Sequence, residues 1–260
     1  MCGIIGILGK ENVVPQLLES LKRLEYRGYD SSGIAIIDNN LIERRRAEGK
    51  LKNLVEHIEQ APISGITGIG HTRWATHGTP DVKNAHPHMT SRVAVVHNGI
   101  IENFKDLRKD LLKNGCNFTS DTDTELVAHM VTKYLNDGLT PAEASHQTFK
   151  KLEGAFALGL IFSGEHNLMI AARNGSPLAI GFGHGEMFIG SDALTLAPLT
   201  RKIMYLEDGD WAVITSEKLN VYDESGIEVE RHTSHTELSG AETSGKGEYR
   251  HFMLKEIFEQ

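Results

Sequence analysis

The sequence is poor in cysteine, with only Cys2 and Cys116 among 260 residues. Two thiols cannot build the disulfide framework of a small secreted scaffold, so a reducing cytoplasm is the expected compartment. Long apolar runs are missing too. None approaches the ~20 residues that a membrane-crossing helix needs, so no membrane partner is expected. The opening Met1-Cys2-Gly3-Ile4-Ile5-Gly6-Ile7-Leu8 has neither a basic segment nor a small-residue cleavage site. It is not expected to be a secretory signal.

Positive charge is scarce. The 27 Lys and Arg are outnumbered by 35 Asp and Glu, for a net charge of −8. That excludes a nucleic-acid surface, which needs clustered cations to neutralise phosphates. The one basic run, Arg44-Arg45-Arg46, is expected to be a solvated strand edge. No GxxxxGK[ST], HExxH or paired CxxC occurs, and Gly181-Phe182-Gly183-His184-Gly185 is not GxGxxG. Five histidines (His71, His77, His86, His88, His97) raise the reading of a metal hydrolase, but His86-x-His88 alone is weak spacing for a metal. Neither a metal nor a cofactor is expected.

What remains is an ordinary globular composition, 40% apolar and 24% charged, enough to bury a sizeable core. Apolar runs predict strands over the first eight residues after Met1, ending at Gly9, and at Gly33–Ile37, Ile66–Trp74 and Val93–Ile101, with another over Leu41–Glu48. Helical spacing appears through Leu17, Leu18, Leu21 and Leu24, over Leu51–Gln60, over Phe104–Lys113 and through Leu126–Leu135. A further helix begins at Thr140-Pro141-Ala142-Glu143, with a cap, Pro at N1 and Glu at N3. From Ala155 to Val229 nearly everything reads as short strands. Packed sheets covered by helices follow, not a regular βαβ alternation. Residues 232–247 are polar and rich in Ser, Thr and Gly, like a linker. Helical spacing resumes from Tyr249 and then stops, as a chain severed between domains would.

Four stretches could carry chemistry. With Met1 removed, Cys2 would hold a thiol and a free α-amine whose ordinary pKa, about 7.7–8.0, suits a general base; the bland alternative is a small apolar residue opening a strand. His71-Thr72-Arg73-Trp74-Ala75-Thr76-His77-Gly78 leaves a strand with a guanidinium suited to a carboxylate, or simply a salt-bridged arginine. His97-Asn98-Gly99 marks a tight turn, and an Asn amide beside a Gly N–H also suits an oxyanion hole. Ser120-Asp121-Thr122-Asp123-Thr124-Glu125 is an acidic helix start, whose plain role is to complement the helix dipole.

Taken in order, these stretches closely resemble the glutaminase domain of the glucosamine-6-phosphate synthase family. Cys2-Gly3-Ile4 would suit any amidotransferase with an N-terminal nucleophile, including glutamine phosphoribosylpyrophosphate amidotransferase and asparagine synthetase. Glu25-Tyr26-Arg27-Gly28-Tyr29-Asp30 and Arg73-Trp74-Ala75-Thr76-His77 favour the hexosamine branch. The resemblance implies an α+β fold, a four-layer αββα sandwich with two stacked, mainly antiparallel sheets. It implies Cys2 as nucleophile, Asn98 and Gly99 as the oxyanion hole, and Arg73, Asp123, Thr76 and His77 as glutamine ligands. Trp74 would lie near the ammonia exit and Arg27 would support the Cys2 neighbourhood. Residues 1–231 would form the glutaminase domain. Residues 232–260 would lead to an absent sugar-isomerase domain that binds fructose 6-phosphate, in a protein expected to be a homo-oligomer. Retention of Met1 would instead leave an inactive regulatory module.

Overall fold

Side chains alternate between the two faces of a strand, and this sorts the apolar residues into three layers of core. A computed structural model describes residues 2–75 and 78–236; the helix expected from Tyr249 lies outside them. In chain order the elements are β1 (Gly3–Leu8), α1 (Val14–Leu24), β2 (Ser31–Asp38), β3 (Leu41–Glu48), α2 (Leu51–Gln60), β4 (Thr67–Arg73), β5 (His88–Met89), β6 (Val93–Ile101), α3 (Phe104–Lys113), α4 (Glu125–Asn136) and α5 (Pro141–Phe149). They continue with β7 (Gly154–Phe162), β8 (Met169–Asn174), β9 (Ala179–Phe182), β10 (Met187–Gly190), α6 (Ala193–Leu196), β11 (Lys202–Tyr205), β12 (Trp211–Ile214), β13 (Leu219–Tyr222), β14 (Glu228–Val229) and β15 (Thr233–His235).

The strands form an eight-stranded sheet, β15-β11-β9-β10-β1-β4-β2-β3, and a seven-stranded sheet, β14-β13-β12-β8-β7-β6-β5. Ile4 and Leu8 of β1, Ile69 of β4, Ala94 and Val96 of β6, and Ala157 and Ile161 of β7 pack together between the sheets. The alternate residues turn outward. Ile5 and Ile7 meet Leu17, Leu21 and Leu24 of α1 and Leu54 of α2, while Val93, Val95 and Leu158 meet Val127 and Val131 of α4. The four layers are therefore helices, sheet, sheet, helices, and the sandwich expected from the sequence is present. Each fully buried Leu, Ile or Val contributes about 1.5–3 kcal/mol. At α5, Thr140 and Glu143 form the expected reciprocal cap.

Two expectations are refined. β3 does lie at a sheet edge, but its arginines are partly buried. Arg44 donates to Pro87 O at 3.1 Å, Arg45 to Ala61 O at 2.8 Å and Arg46 to Ala85 O at 2.6 Å, so Arg44 and Arg46 pin the 83–87 loop and Arg45 the end of α2 instead of standing in water. The polar stretch expected to be a linker from 232 begins with a strand: β15 pairs with β11 through Lys202–His235 and Met204–Thr233. Arg231 holds Asp210 through two 2.8 Å bonds just before it.

Candidate active site

The ends of β1, β4 and β6 open onto one cavity of about 360 Å³. Cys2, Arg27, Arg73, Trp74, Asn98, Gly99 and Asp123 all line it, although 120 residues lie between the first and the last. Thr76 and His77, the other two expected site residues, lie outside the described residues.

Cys2 owes its position to strand register. Gly3 pairs with Thr72, which sets Cys2 beside the end of β4. Trp74 N donates to Cys2 Sγ at 3.2 Å, and Sγ lies 3.4 Å from Trp74 O. Burial pushes the thiol pKa above its ordinary value, and the Trp74 backbone and the Arg73 charge offset this only in part. The sulfur is therefore held as a neutral thiol. The segment after α1 braces this corner. Gly28 lies so close that a Cβ there would sit 2.6 Å from the Arg73 carbonyl carbon. Asp30 N donates to Arg73 O at 3.1 Å, and Asp30 Oδ2 accepts from Ala75 N at 2.8 Å. Arg27 pairs with Asp192, whose other oxygen caps α6 by accepting from Thr195 N at 2.7 Å. Trp74 is 44% exposed and meets Tyr29 edge-on at 5.5 Å.

Asn98 and Gly99 do not form the tight turn that their dipeptide predicts. They lie within β6, with Gly99 opposite Phe156 of β7. Gly99 has φ +122°, and a Cβ there would lie 2.0 Å from Ala155 O, so only glycine fits. The Asn98 amide is held at both ends: Nδ2 donates to Cys2 O at 3.1 Å and Ser191 Oγ at 3.0 Å, while Oδ1 lies 3.1 Å from His71 Nε2.

A cation and an anion complete the cavity. Arg73 is 3% exposed, and its guanidinium donates to Thr79 O at 3.1 Å and Gly78 O at 3.4 Å. Asp123 comes from the segment before α4. Its Oδ2 accepts from Ile101 N at 2.9 Å, and Oδ1 is 3.9 Å from His97 Nδ1. The neighbouring Glu125 gathers Thr119 N at 2.9 Å and Ser120 N at 2.7 Å. Burial works to raise its pKa, but hydrogen bonds from His129, Thr119 and Ser120 outweigh that and hold it well below the usual range.

The histidines form a polar chain behind the cavity. His71 stacks on His86 at 4.3 Å, and His86 meets His88 edge-on at 4.7 Å. His86 Nε2 reaches Thr124 Oγ1 at 2.8 Å, and His88 Nε2 reaches Thr122 Oγ1 at 3.0 Å. Burial drives all three below their ordinary pKa, His71 to about 3. Among the described residues, no group of three or more His, Cys, Asp and Glu is arranged to hold a metal ion. Sequence reasoning missed Ser191, Ser176 and Pro177. Ser191 Oγ accepts from Ile4 N at 2.7 Å, and Ser176 and Pro177 line the cavity. No motif marks them, because only β-sheet pairing brings them to β1 and β6.

The family described as glutamine amidotransferase domain matches residues 71–198. A glutamine–fructose-6-phosphate aminotransferase (isomerizing) of Bradyrhizobium diazoefficiens is 58% identical over 264 residues, covering all of this chain and 43% of the relative. One from Bartonella henselae is 57% identical, with the same coverage. The chain thus spans less than half the length of these curated relatives. A solved glutamine phosphoribosylpyrophosphate amidotransferase from B. subtilis, complexed with ADP and GMP, aligns with a TM-score of 0.73 at 26% identity. That alignment covers 86% of this chain and 49% of the solved one.

Proposed function

Since the chain belongs to the glutamine amidotransferase domain family, homologous to the N-terminal part of glutamine–fructose-6-phosphate aminotransferases, we propose that it hydrolyses glutamine to glutamate and ammonia with Cys2 as nucleophile. The reading rests on one observation above all. A thiol from one sheet and an Asn-Gly pair from the other face one cavity that also holds a buried guanidinium and a carboxylate.

With Met1 removed, the α-amine of Cys2 takes the thiol proton, and Sγ bonds to the side-chain carbonyl carbon of glutamine. The oxyanion that forms is stabilised by Asn98 Nδ2 and Gly99 N–H. As the C–N bond breaks, the α-ammonium returns the proton to the nitrogen, ammonia leaves, and a thioester remains. Water then attacks the thioester, releasing glutamate and restoring the thiol. The raised thiol pKa supports this order, because a base must act before attack. Arg73 binds the substrate α-carboxylate and Asp123 its α-ammonium, the opposite charges that a zwitterion requires. Thr76 and His77 contribute from the segment that closes over glutamine. Trp74, exposed at the rim, lies where ammonia departs, and Arg27 holds the wall behind Cys2.

In the longer protein, the ammonia would pass to a sugar-isomerase part that binds fructose 6-phosphate and forms glucosamine 6-phosphate, in a homo-oligomer. The cytoplasm suits two free thiols, Cys2 and Cys116, and among the described residues no helix is long and apolar enough to cross a membrane. Ammonia release from the chain with Cys2 as its first residue, compared with Cys2→Ala, tests the reading. Release is expected to fall more than about a thousandfold. Equal release from both overturns the mechanism. Glucosamine 6-phosphate formed by this chain alone overturns the division of labour.

A further inference from the structure

We propose that His71 is a positioning residue for the side-chain amide of Asn98, deciding which of its two ends faces Cys2. The inference rests on the reading of Asn98 as an oxyanion donor and deepens it. An Asn amide presents an acceptor on one side and donors on the other, and a flip exchanges them with little change of shape. In this cavity a flipped amide would aim oxygen, not N–H, at the developing oxyanion, and the hole would repel the charge it must bind.

Two contacts of one nitrogen remove the ambiguity. His71 Nε2 lies 2.9 Å from His97 O and 3.1 Å from Asn98 Oδ1. A backbone carbonyl can only accept, so Nε2 must carry the hydrogen, and it cannot then accept from an Asn98 N–H. The other ring nitrogen, Nδ1, is buried and has no hydrogen-bond partner among the described residues, which suits a bare lone pair. His71 is fully buried and stacked on His86, so the ring is held in place. Burial also keeps it uncharged at neutral pH, its pKa held down to about 3, so the same tautomer serves across the working range. At the far end of the amide, Cys2 O accepts from Nδ2 at 3.1 Å. A flipped Oδ1 would meet that carbonyl as a second acceptor. The His71 bond and the Cys2 carbonyl therefore select the same orientation.

The test compares His71→Leu with His71→Gln, whose amide nitrogen can overlay Nε2 and donate to the same two oxygens. The readouts are kcat and KM for ammonia release and the rate of iodoacetamide alkylation at Cys2, mapped by peptide mass. Alkylation needs the thiol and its base but no oxyanion hole. His71→Leu is expected to lower kcat roughly ten- to a hundredfold, with KM within about threefold and alkylation unchanged. His71→Gln is expected to bring kcat back to within about fivefold of the parent, with an unshifted pH profile. A Leu variant with the parent's kcat overturns the inference, as does a folded Gln variant as slow as Leu or a displaced pH limb. Should the Leu variant not fold, the Gln variant decides: kcat within about fivefold supports the inference, and a fall as deep as that of Asn98→Ala overturns it. Failure of the underlying glutaminase reading shows separately, as ammonia release that survives Cys2→Ala.

Discussion

The layer between the two sheets has an apolar middle and a polar end, and the change occurs within single strands. Every second residue of β1 and β4 faces this layer: Leu8, Gly6, Ile4 and then Cys2 on one, Ile69, His71 and Arg73 on the other. On β6, Ala94 and Val96 give way to Asn98. The same period-two geometry that packs the middle aims the chemistry at the end. In the middle, Ile189 reaches across the gap: a Cβ on Gly159 of the opposite sheet would lie 2.6 Å from its Cδ1. At the end, buried polar atoms replace such contacts with directed hydrogen bonds. Cores hold shape by volume, and sites hold it by donor and acceptor identity. The two ends should therefore fail in different ways.

Asn98→Ala should lower kcat about 10²- to 10³-fold, equivalent to roughly 3–4 kcal/mol in the barrier, while the urea midpoint moves little. A kcat within tenfold of the parent would break the comparison at its polar end. Ile189→Ala should do the reverse, costing about 2–5 kcal/mol of stability by leaving a cavity between the sheets. Its kcat and KM, measured where the variant is folded, should match the parent; a large kinetic defect would mean that the middle also shapes the site.

The smallest effect concerns acid. His88 is held well below its ordinary pKa of 6.5, first by burial and then by the Arg46 charge. An unfolded chain takes up this proton as pH falls below about 6.5 and the folded one does not, so stability is lost on acidification through that window. Each such histidine contributes a slope of about 1.4 kcal/mol per pH unit. His88→Gln should flatten the stability–pH curve below pH 6.5 by that amount or less, read from urea melts at several pH values. An unchanged slope would mean that His88 becomes protonated in the folded state.

The middle of the layer was the legible part. Runs such as Val93–Val96 and Phe156–Phe162 announce buried strands, and Leu17, Leu21 and Leu24 announce the helix that covers the other sheet. Short elements escaped: α6 has four residues and β15 three, too few for any period to show. At the polar end, residue types were legible and their meeting was not. Asp123 reaches the cavity because Ile101 N holds its carboxylate at 2.9 Å, a contact that no spacing encodes. The Asn-Gly turn signal lost to pairing with β7, which carries β6 straight through those residues.

Strand β1 lies between β4 and β10, and its Ile4 N–H is satisfied by the Ser191 hydroxyl. During synthesis, the residue bearing the sulfur leaves the ribosome before the partners that frame it, which are among residues 67–73 and 187–191. A nascent chain that has not reached residue 191 carries the thiol without a seat for it. Order of manufacture and order of assembly run opposite ways, and on the proposed mechanism that delay leaves the thiol idle until the pocket around it is complete.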